Sequence, residues 1–238
     1  MSRLPAHVHR LEAFAVEAAD WIAQRLEHLA ESRGNLVIAL AGGSTPEPIY
    51  RELAKRPLPW KAMVFTFGDE RCVPPTDPSS NYRMAHEAML AKAAEQGSRV
   101  IRIAGELDPE KAATLCEAEL RELAEQRNEE ILRHDLVLLG LGDDGHTASL
   151  FPHTQALTET ERWVAANHVL KLNIWRLTFT YPLLNAAKNV AFLVNDVRKE
   201  RVIQEILAGG SGHPAEGVKP TAGSVTWLLG HKPEASGP

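Results

Sequence analysis

The sequence predicts an α/β protein: a mainly parallel sheet with helices on both faces. Short, wholly apolar runs recur along the chain, each too brief for a buried helix and bounded by glycine or polar residues. Strands covered on both faces read this way. Between them lie stretches with apolar residues at helical spacing, and strands alternating with helices make βαβ units. At 238 residues, with 44% hydrophobic and 24% charged, the chain can bury a core without metal or disulfide. It is expected to form one domain over residues 1–238.

Leu11, Phe14, Ala15, Ala18, Ile22, Leu26 and Leu29 recur at helical spacing with charges between them, and predict an amphipathic helix stopped by Gly34-Asn35. Residues 36–41 predict a buried strand. Residues 63–67, closed by Gly68, predict a second, and 100–103, interrupted by Arg102, a shorter third. Asp108-Pro109-Glu110 reads as an N-cap with proline in the first helical turn. The helix it opens aligns Ala112, Cys116, Leu120 and Leu123 on one face and can pair Glu117 with Arg121. Further strands are predicted at 136–139, 177–180, 190–194 and 225–229. Residues 209–217 hold four glycines and Pro214, and predict a mobile surface loop rather than a domain boundary.

Lys and Arg number 26 against 31 Asp and Glu, a net charge of −5. That balance lacks the basic face of non-specific nucleic-acid binding. Cys72 and Cys116 make no C-x-x-C pair and no disulfide framework, which fits a reducing compartment. No segment offers the roughly 18 uninterrupted apolar residues of a membrane span. Glu12, Glu17, Asp20 and Glu27 are out of place in a signal peptide. A cytoplasmic protein is expected, monomer or homodimer, with no nucleic-acid or membrane partner.

Ligands of parallel sheets bind at loops following the carboxyl ends of strands. The first such loop is Gly42-Gly43-Ser44-Thr45-Pro46, where Thr45 can cap a helix opened by Pro46. Exposed amides at a helix N-terminus suit phosphate, though an ordinary strand-to-helix turn uses the same residues. In the second loop, Gly68 to Pro74, three successive charges follow an apolar strand. Arg71 can clamp an anion while Asp69 and Glu70 hold it in place; a surface ion cluster is the alternative. Cys72 reads as a small apolar group, with no cluster of bases around it.

The third loop, Gly140 to Ser149, contains G-x-G-x-x-G, but Asp143 and Asp144 would face a pyrophosphate and Pro152 leaves no room for the long helix required. His146, just after the glycines, suits a general base, since histidine titrates near neutral pH, and Asp144 can fix its tautomer. No H-E-x-x-H or Cys/His quartet marks a zinc site, and His7 and His9 read as solvent-exposed. Ser44 and Ser149 lie outside any G-x-S-x-G elbow, which favours activated water over a covalent serine. Arg176, just before a strand, and Lys199, after another and near a helix start, can complete an anion pocket with Arg71. Taken singly, each is more often a solvated surface charge.

Ala-Gly-Gly-Ser-Thr-Pro at 41–46, Gly-Asp-Glu-Arg-Cys-Val-Pro at 68–74 with Ser80-Asn81-Tyr82, Gly-Leu-Gly-Asp-Asp-Gly-His-Thr-Ala-Ser-Leu-Phe-Pro at 140–152, and Arg176-Leu177-Thr178 together resemble the 6-phosphogluconolactonase family, over residues of about 10 to 230. The third motif is long and specific; the first alone would be weak. The resemblance implies one α/β domain with a Rossmann-like, mainly parallel sheet, no metal and no nucleotide cofactor. It implies a sugar-phosphate lactone as substrate: hydrolysis of 6-phosphoglucono-1,5-lactone to 6-phosphogluconate in the oxidative pentose phosphate pathway. On its terms His146 is the base with Asp144 beside it. Arg71, Arg176 and Lys199 bind phosphate with the Gly42-Gly43-Ser44-Thr45 turn, and Asp69 and Asn81 complete the binding set. The chain departs from the family's usual residues at Asp196, three before Lys199, and at Gly230. The sister glucosamine-6-phosphate deaminase/isomerase family shares Asp-Gly-His. It usually continues with Asn-Glu-Pro where this chain has Ser149-Leu150-Phe151-Pro152, and usually has tyrosine in place of Arg71. An enzyme of that sister kind and a non-catalytic sugar-phosphate sensor are the alternatives.

Overall fold

The apolar runs do become strands, and their burial dictates how they are stacked. The computed structural model describes residues 7–32 and 34–230. In chain order the elements are β1 (His7–Leu11), α1 (Phe14–Ser32), β2 (Leu36–Leu40), α2 (Pro46–Leu53), β3 (Met63–Phe67), β4 (Asp69–Arg71), α3 (Asn81–Ala85) and α4 (Ala91–Glu95). There follow β5 (Arg99–Val100), α5 (Pro109–Gln126), β6 (Leu136–Leu139), β7 (Val164–Val169), β8 (Ile174–Phe179), α6 (Tyr181–Ala186), β9 (Asn189–Val194), α7 (Glu200–Ala208) and β10 (Ser224–Gly230).

Seven strands form a parallel sheet in the order β1-β10-β9-β6-β2-β3-β5. β2, β3 and β6 are buried at every position, so both faces are covered. The chain runs outward from β2 to β3 and β5, returns to the other side of β2 with β6, and then runs the opposite way through β9 and β10. Right-handed crossovers place α1 and α2 on one face and α7 on the other, and α1 packs against α2. The reversal between β2 and β6 opens a crevice at their carboxyl ends, the ligand position of such sheets.

The prediction of a single mainly parallel sheet omits a second one. β4, β8 and β7 form an antiparallel sheet of three strands, which α5 backs. Glu117 of α5 accepts the Trp163 and Val164 N–H groups (2.9 and 3.1 Å) and pairs with Arg121 as expected. Asp108 caps α5 through the Lys111 N–H (3.1 Å). The expected strand at 177–180 is β8, which begins earlier, at Ile174, after a left-handed turn at Asn173. Leu11, expected in the first helix, instead ends β1 opposite Gly230, because Glu17 reaches back to the Ala13 N–H (2.6 Å) and fixes the helix start beyond it. The strand expected at 100–103 is only Arg99–Val100. Past an Ile101 N–H bond to Phe65 (2.8 Å) the chain leaves the sheet, with Arg102 paired to Glu106. His7 and His9 are exposed on β1. Among the described residues no helix is long and apolar enough to cross a membrane.

The amino end of the sheet is tied by a buried carboxylate. Asp135, fully buried, accepts the Val37 N–H (2.9 Å), Arg127 (3.2 Å) and Lys188 (2.7 Å). Beside it, His134 contacts Thr66 Oγ1 through Nε2 (3.0 Å), and burial pushes its pKa down to about 3, so it is a neutral core group. Removing one partner of a buried ion network strands the others. Asp135→Ala is therefore expected to lower unfolding stability by about 3–5 kcal/mol, read by urea denaturation; a loss near zero would contradict this account.

Candidate active site

Three loops meet at the β2–β6 crevice, each shaped by local chemistry. At the end of β2, the Tyr50 hydroxyl of α2 accepts the Ala41 N–H and donates to the Ala41 carbonyl, both at 2.9 Å. The strand is pinned there, and the chain turns away through Gly43 at φ +95°, which glycine alone adopts without strain. The amides of Gly43, Ser44 and Thr45 donate to no group among the described residues. Thr45 does not cap α2 as predicted: its backbone is already helical (φ −72°, ψ −47°) and its side chain makes no capping bond. Capping needs an extended residue and an N–H two or three positions into the helix; the Thr45 backbone is not extended, and of the two N–H positions Pro48 lacks one.

The second loop is partly a strand. Its charges resolve differently from the expectation that Asp69 and Glu70 hold the Arg71 side chain. Glu70, 2% exposed, accepts the N–H groups of Arg71, Asn81 and Tyr82 (2.7–2.8 Å) and the Ser80 hydroxyl (3.1 Å). Burial raises its pKa against these bonds. Asp69 accepts the Ser149 hydroxyl (2.6 Å) and Asn81 Nδ2 (3.1 Å), joining the second loop to the third. Arg71 donates to the Ser79 carbonyl and lies opposite Arg176 in the β4–β8 register. Arg176 thus sits inside β8, not ahead of a strand, because β8 starts at Ile174. Among the described residues neither arginine forms a salt bridge. Burial, then the charge of Arg71, holds the Arg176 pKa below the ordinary arginine value, yet guanidinium stays protonated. Two adjacent guanidinium groups with no salt-bridge partner among the described residues have the chemistry to receive an anion. Cys72 is half-buried, and burial pushes its thiol pKa up, the opposite of what a nucleophile needs.

In the third loop no helix follows the glycines, consistent with rejecting the dinucleotide reading. The Gly142 N–H bonds the His146 carbonyl (2.8 Å), and the Thr147 hydroxyl bonds the Gly140 carbonyl (2.8 Å), folding the chain back on itself. His146 Nδ1 lies 2.6 Å from Asp144 Oδ1. A carboxylate only accepts, so Nδ1 carries the proton and Nε2 is left bare. Burial raises the Asp144 pKa, but the bonds from the His146 ring and main chain outweigh it and leave it below the ordinary value.

Lys199 donates to the Leu141 carbonyl and lies 3.6 Å from Asp143. Asp196 pairs with Arg198 (2.7 Å), whose bonds, with a smaller contribution from the Lys199 charge, hold the Asp196 pKa at about 2. The loop expected to be mobile at 209–217 is organised by Glu216, which accepts the Gly210, Ser211 and Gly212 N–H groups (2.7–3.2 Å). It packs on the third loop: the Ala215 N–H bonds the Gly145 carbonyl (2.9 Å), and His213 contacts Asp144 O (3.3 Å) and Glu205 (2.9 Å).

A cavity of about 380 Å³ joins these parts. Around it lie the 42–45 turn, Asp69, Arg71, Asn81, His146, Arg176 and Lys199, with Asp144 behind His146. Gly230 is outside it, against Phe14 and Asn195. Leu172, half exposed at the β7–β8 turn, and Phe151 also line it; Phe151 lies within the 140–152 motif, whereas Leu172 carries no sequence signal for a site. Among the described residues no group of three or more His, Cys, Asp and Glu side chains could hold a metal ion.

The site thus sets two arginines, a lysine and a carboxylate-held imidazole around one cavity at the switch point of an open parallel sheet. The chain belongs to the family described as glucosamine-6-phosphate isomerases/6-phosphogluconolactonase, whose model matches residues 9–227. It is 40% identical over 212 residues to the 6-phosphogluconolactonase of Synechocystis, covering 87% of each chain. The crystal structure of the Thermotoga maritima 6-phosphogluconolactonase superposes with a TM-score of 0.84 at 29% identity, covering 94% of this chain and 99% of that one. That of Trypanosoma brucei gives 0.82 at 29%, covering 96% and 97%.

Inorganic phosphate is expected to raise the unfolding temperature of the native chain, since a ligand of the folded state stabilises it. The Arg71→Ala/Arg176→Ala double variant is expected to lose that rise; an equal rise in both proteins would place the anion elsewhere.

Proposed function

We propose that this chain is a cytoplasmic lactonase that hydrolyses 6-phosphoglucono-1,5-lactone to 6-phosphogluconate, in the oxidative pentose phosphate pathway, with water activated by His146. The observation that carries the mechanism is the Asp144–His146 hydrogen bond of 2.6 Å on the wall of a cavity that also holds Arg71, Arg176 and Lys199. The three cations and the amides of residues 43–45 grip the phosphate. Binding energy from that remote group positions the lactone carbonyl near the imidazole.

Nε2 of His146 takes a proton from water as its oxygen bonds to the lactone carbonyl carbon, and Asp144 stabilises the imidazolium. The tetrahedral oxyanion then collapses, the bond to the ring oxygen breaks, and the imidazolium returns its proton to that oxygen, which leaves as the sugar hydroxyl. General-base assistance of this kind is worth roughly 10²–10⁴-fold. Phe151, in the stretch where the sister family usually reads Asn-Glu-Pro, brings no carboxylate to the imidazole. Lactone opening needs none beyond Asp144.

His146→Ala is expected to lower kcat at least tenfold with KM little changed, measured as acid release from fresh lactone corrected for spontaneous hydrolysis; a near-normal kcat removes His146 as the base. Arg176→Ala is expected mainly to raise KM, and gluconolactone without phosphate to be a poor substrate. Release of ammonia from glucosamine 6-phosphate, or binding without turnover, would overturn the lactonase reading.

The pH dependence follows from the signs. The Asp144 pKa is depressed, so its clamp on His146 is intact above the ordinary carboxylate range and is lost only as pH falls through its lowered value. Loss of that clamp is therefore expected to add no acid-side decline of kcat/KM until pH falls below the ordinary carboxylate range. An Asp144→Asn variant whose acid-side kcat/KM profile and maximal rate both match the native enzyme would contradict a role for the clamp.

A further inference from the structure

Resting on His146 as the base, we infer that Phe151 is a positioning residue for it. The two rings stack with centroids 4.0 Å apart and planes at 24°. The bond from Nδ1 to Asp144 holds one edge of the imidazole but leaves it able to tilt about the line of that bond, which would swing Nε2. A flat aromatic face against the ring stops the tilt. On its Nδ1 side the imidazole packs so closely on Gly142 that a Cβ there would lie 2.0 Å from Nδ1.

The phenyl group is itself held by the second sheet. The Phe151 carbonyl accepts the Thr154 hydroxyl (2.7 Å). Asn167 of β7, 1% exposed, donates through Nδ2 to the Ser149 carbonyl (2.8 Å) and to Thr154 Oγ1 (3.0 Å). Within the same turn His153 has φ +63°, a left-handed conformation that a non-glycine residue keeps only where its surroundings enforce it. A buried asparagine thus fixes the turn, the turn fixes the phenyl, and the phenyl fixes the plane of the imidazole. Misplacing a reacting group by about 1 Å can cost a hundredfold in rate.

The experiment compares Phe151→Ala, Phe151→Leu and Phe151→Tyr with the native enzyme. Phe151→Ala and Phe151→Leu are expected to lower kcat about tenfold with KM within twofold, and Phe151→Tyr to restore most of it. Proton NMR supplies a readout independent of turnover: the His146 ring protons carry a ring-current shift that Phe151→Tyr keeps and Phe151→Leu loses. In a His146→Ala background, Phe151→Ala is expected to cost nothing further. A raised KM at native kcat would make Phe151 a sugar contact, and full activity of Phe151→Leu would make it a space-filler; either result overturns the inference. If His146→Ala itself retains kcat while the ring-current shift behaves as stated, the base assignment fails and the stacking arrangement stands.

Discussion

A sheet whose central strands are apolar on both faces can hold no chemistry in its interior, and that constraint arranges everything else. β2, β3 and β6 admit water on neither side, so polar groups are driven to the strand ends. Among those ends, only a reversal of strand order opens a gap wide enough for a ligand. The loops after β2 and β6 flank that gap as neighbours. The Gly43 turn and the His146 turn, about a hundred residues apart in sequence, come to face each other because the strands before them pair.

Within the gap, charge is sorted by partner. Acidic groups are satisfied locally: Glu70 by three amides and a hydroxyl, Asp69 by Ser149 and Asn81, Asp144 by His146. The cations are not, since Arg71 and Arg176 donate only to carbonyl oxygens and stand opposite each other. Lys199 alone of the three cavity cations has a carboxylate nearby, Asp143 at 3.6 Å, and a wall with two open guanidinium groups is electrostatically suited to an anionic ligand. The small antiparallel sheet makes this possible by carrying Arg71 and Arg176 on adjacent strands.

The parallel core was legible because burial on both faces writes continuous apolar runs, as at β6 and β9. What escaped are elements whose signal lies in their partner. β1 is exposed at four of its five positions and is defined by its pairing with β10. β4, three consecutive charged residues, is a strand only because β8 lies beside it. The candidate site shows the same division. Asp144 and His146, two residues apart, announce their contact. Asp69 and Ser149, 80 apart, do not, and Asn167 gives no local hint that it steadies a turn beside the imidazole. Thr45 has the residue type of a cap but a helical backbone, and Pro48 removes one of the two N–H groups a cap could reach.

The Asp135 network and the His146 cluster bracket opposite ends of the same strand, β6. Sites separated by a strand's length and sharing no partners perturb a protein nearly additively. Substitutions around residue 135 would change how much folded protein a cell keeps, while those around residue 146 would change what each molecule does. Evolution can therefore tune abundance and turnover on this scaffold as two separate dials, which suits a fold whose family spans more than one reaction on sugar phosphates.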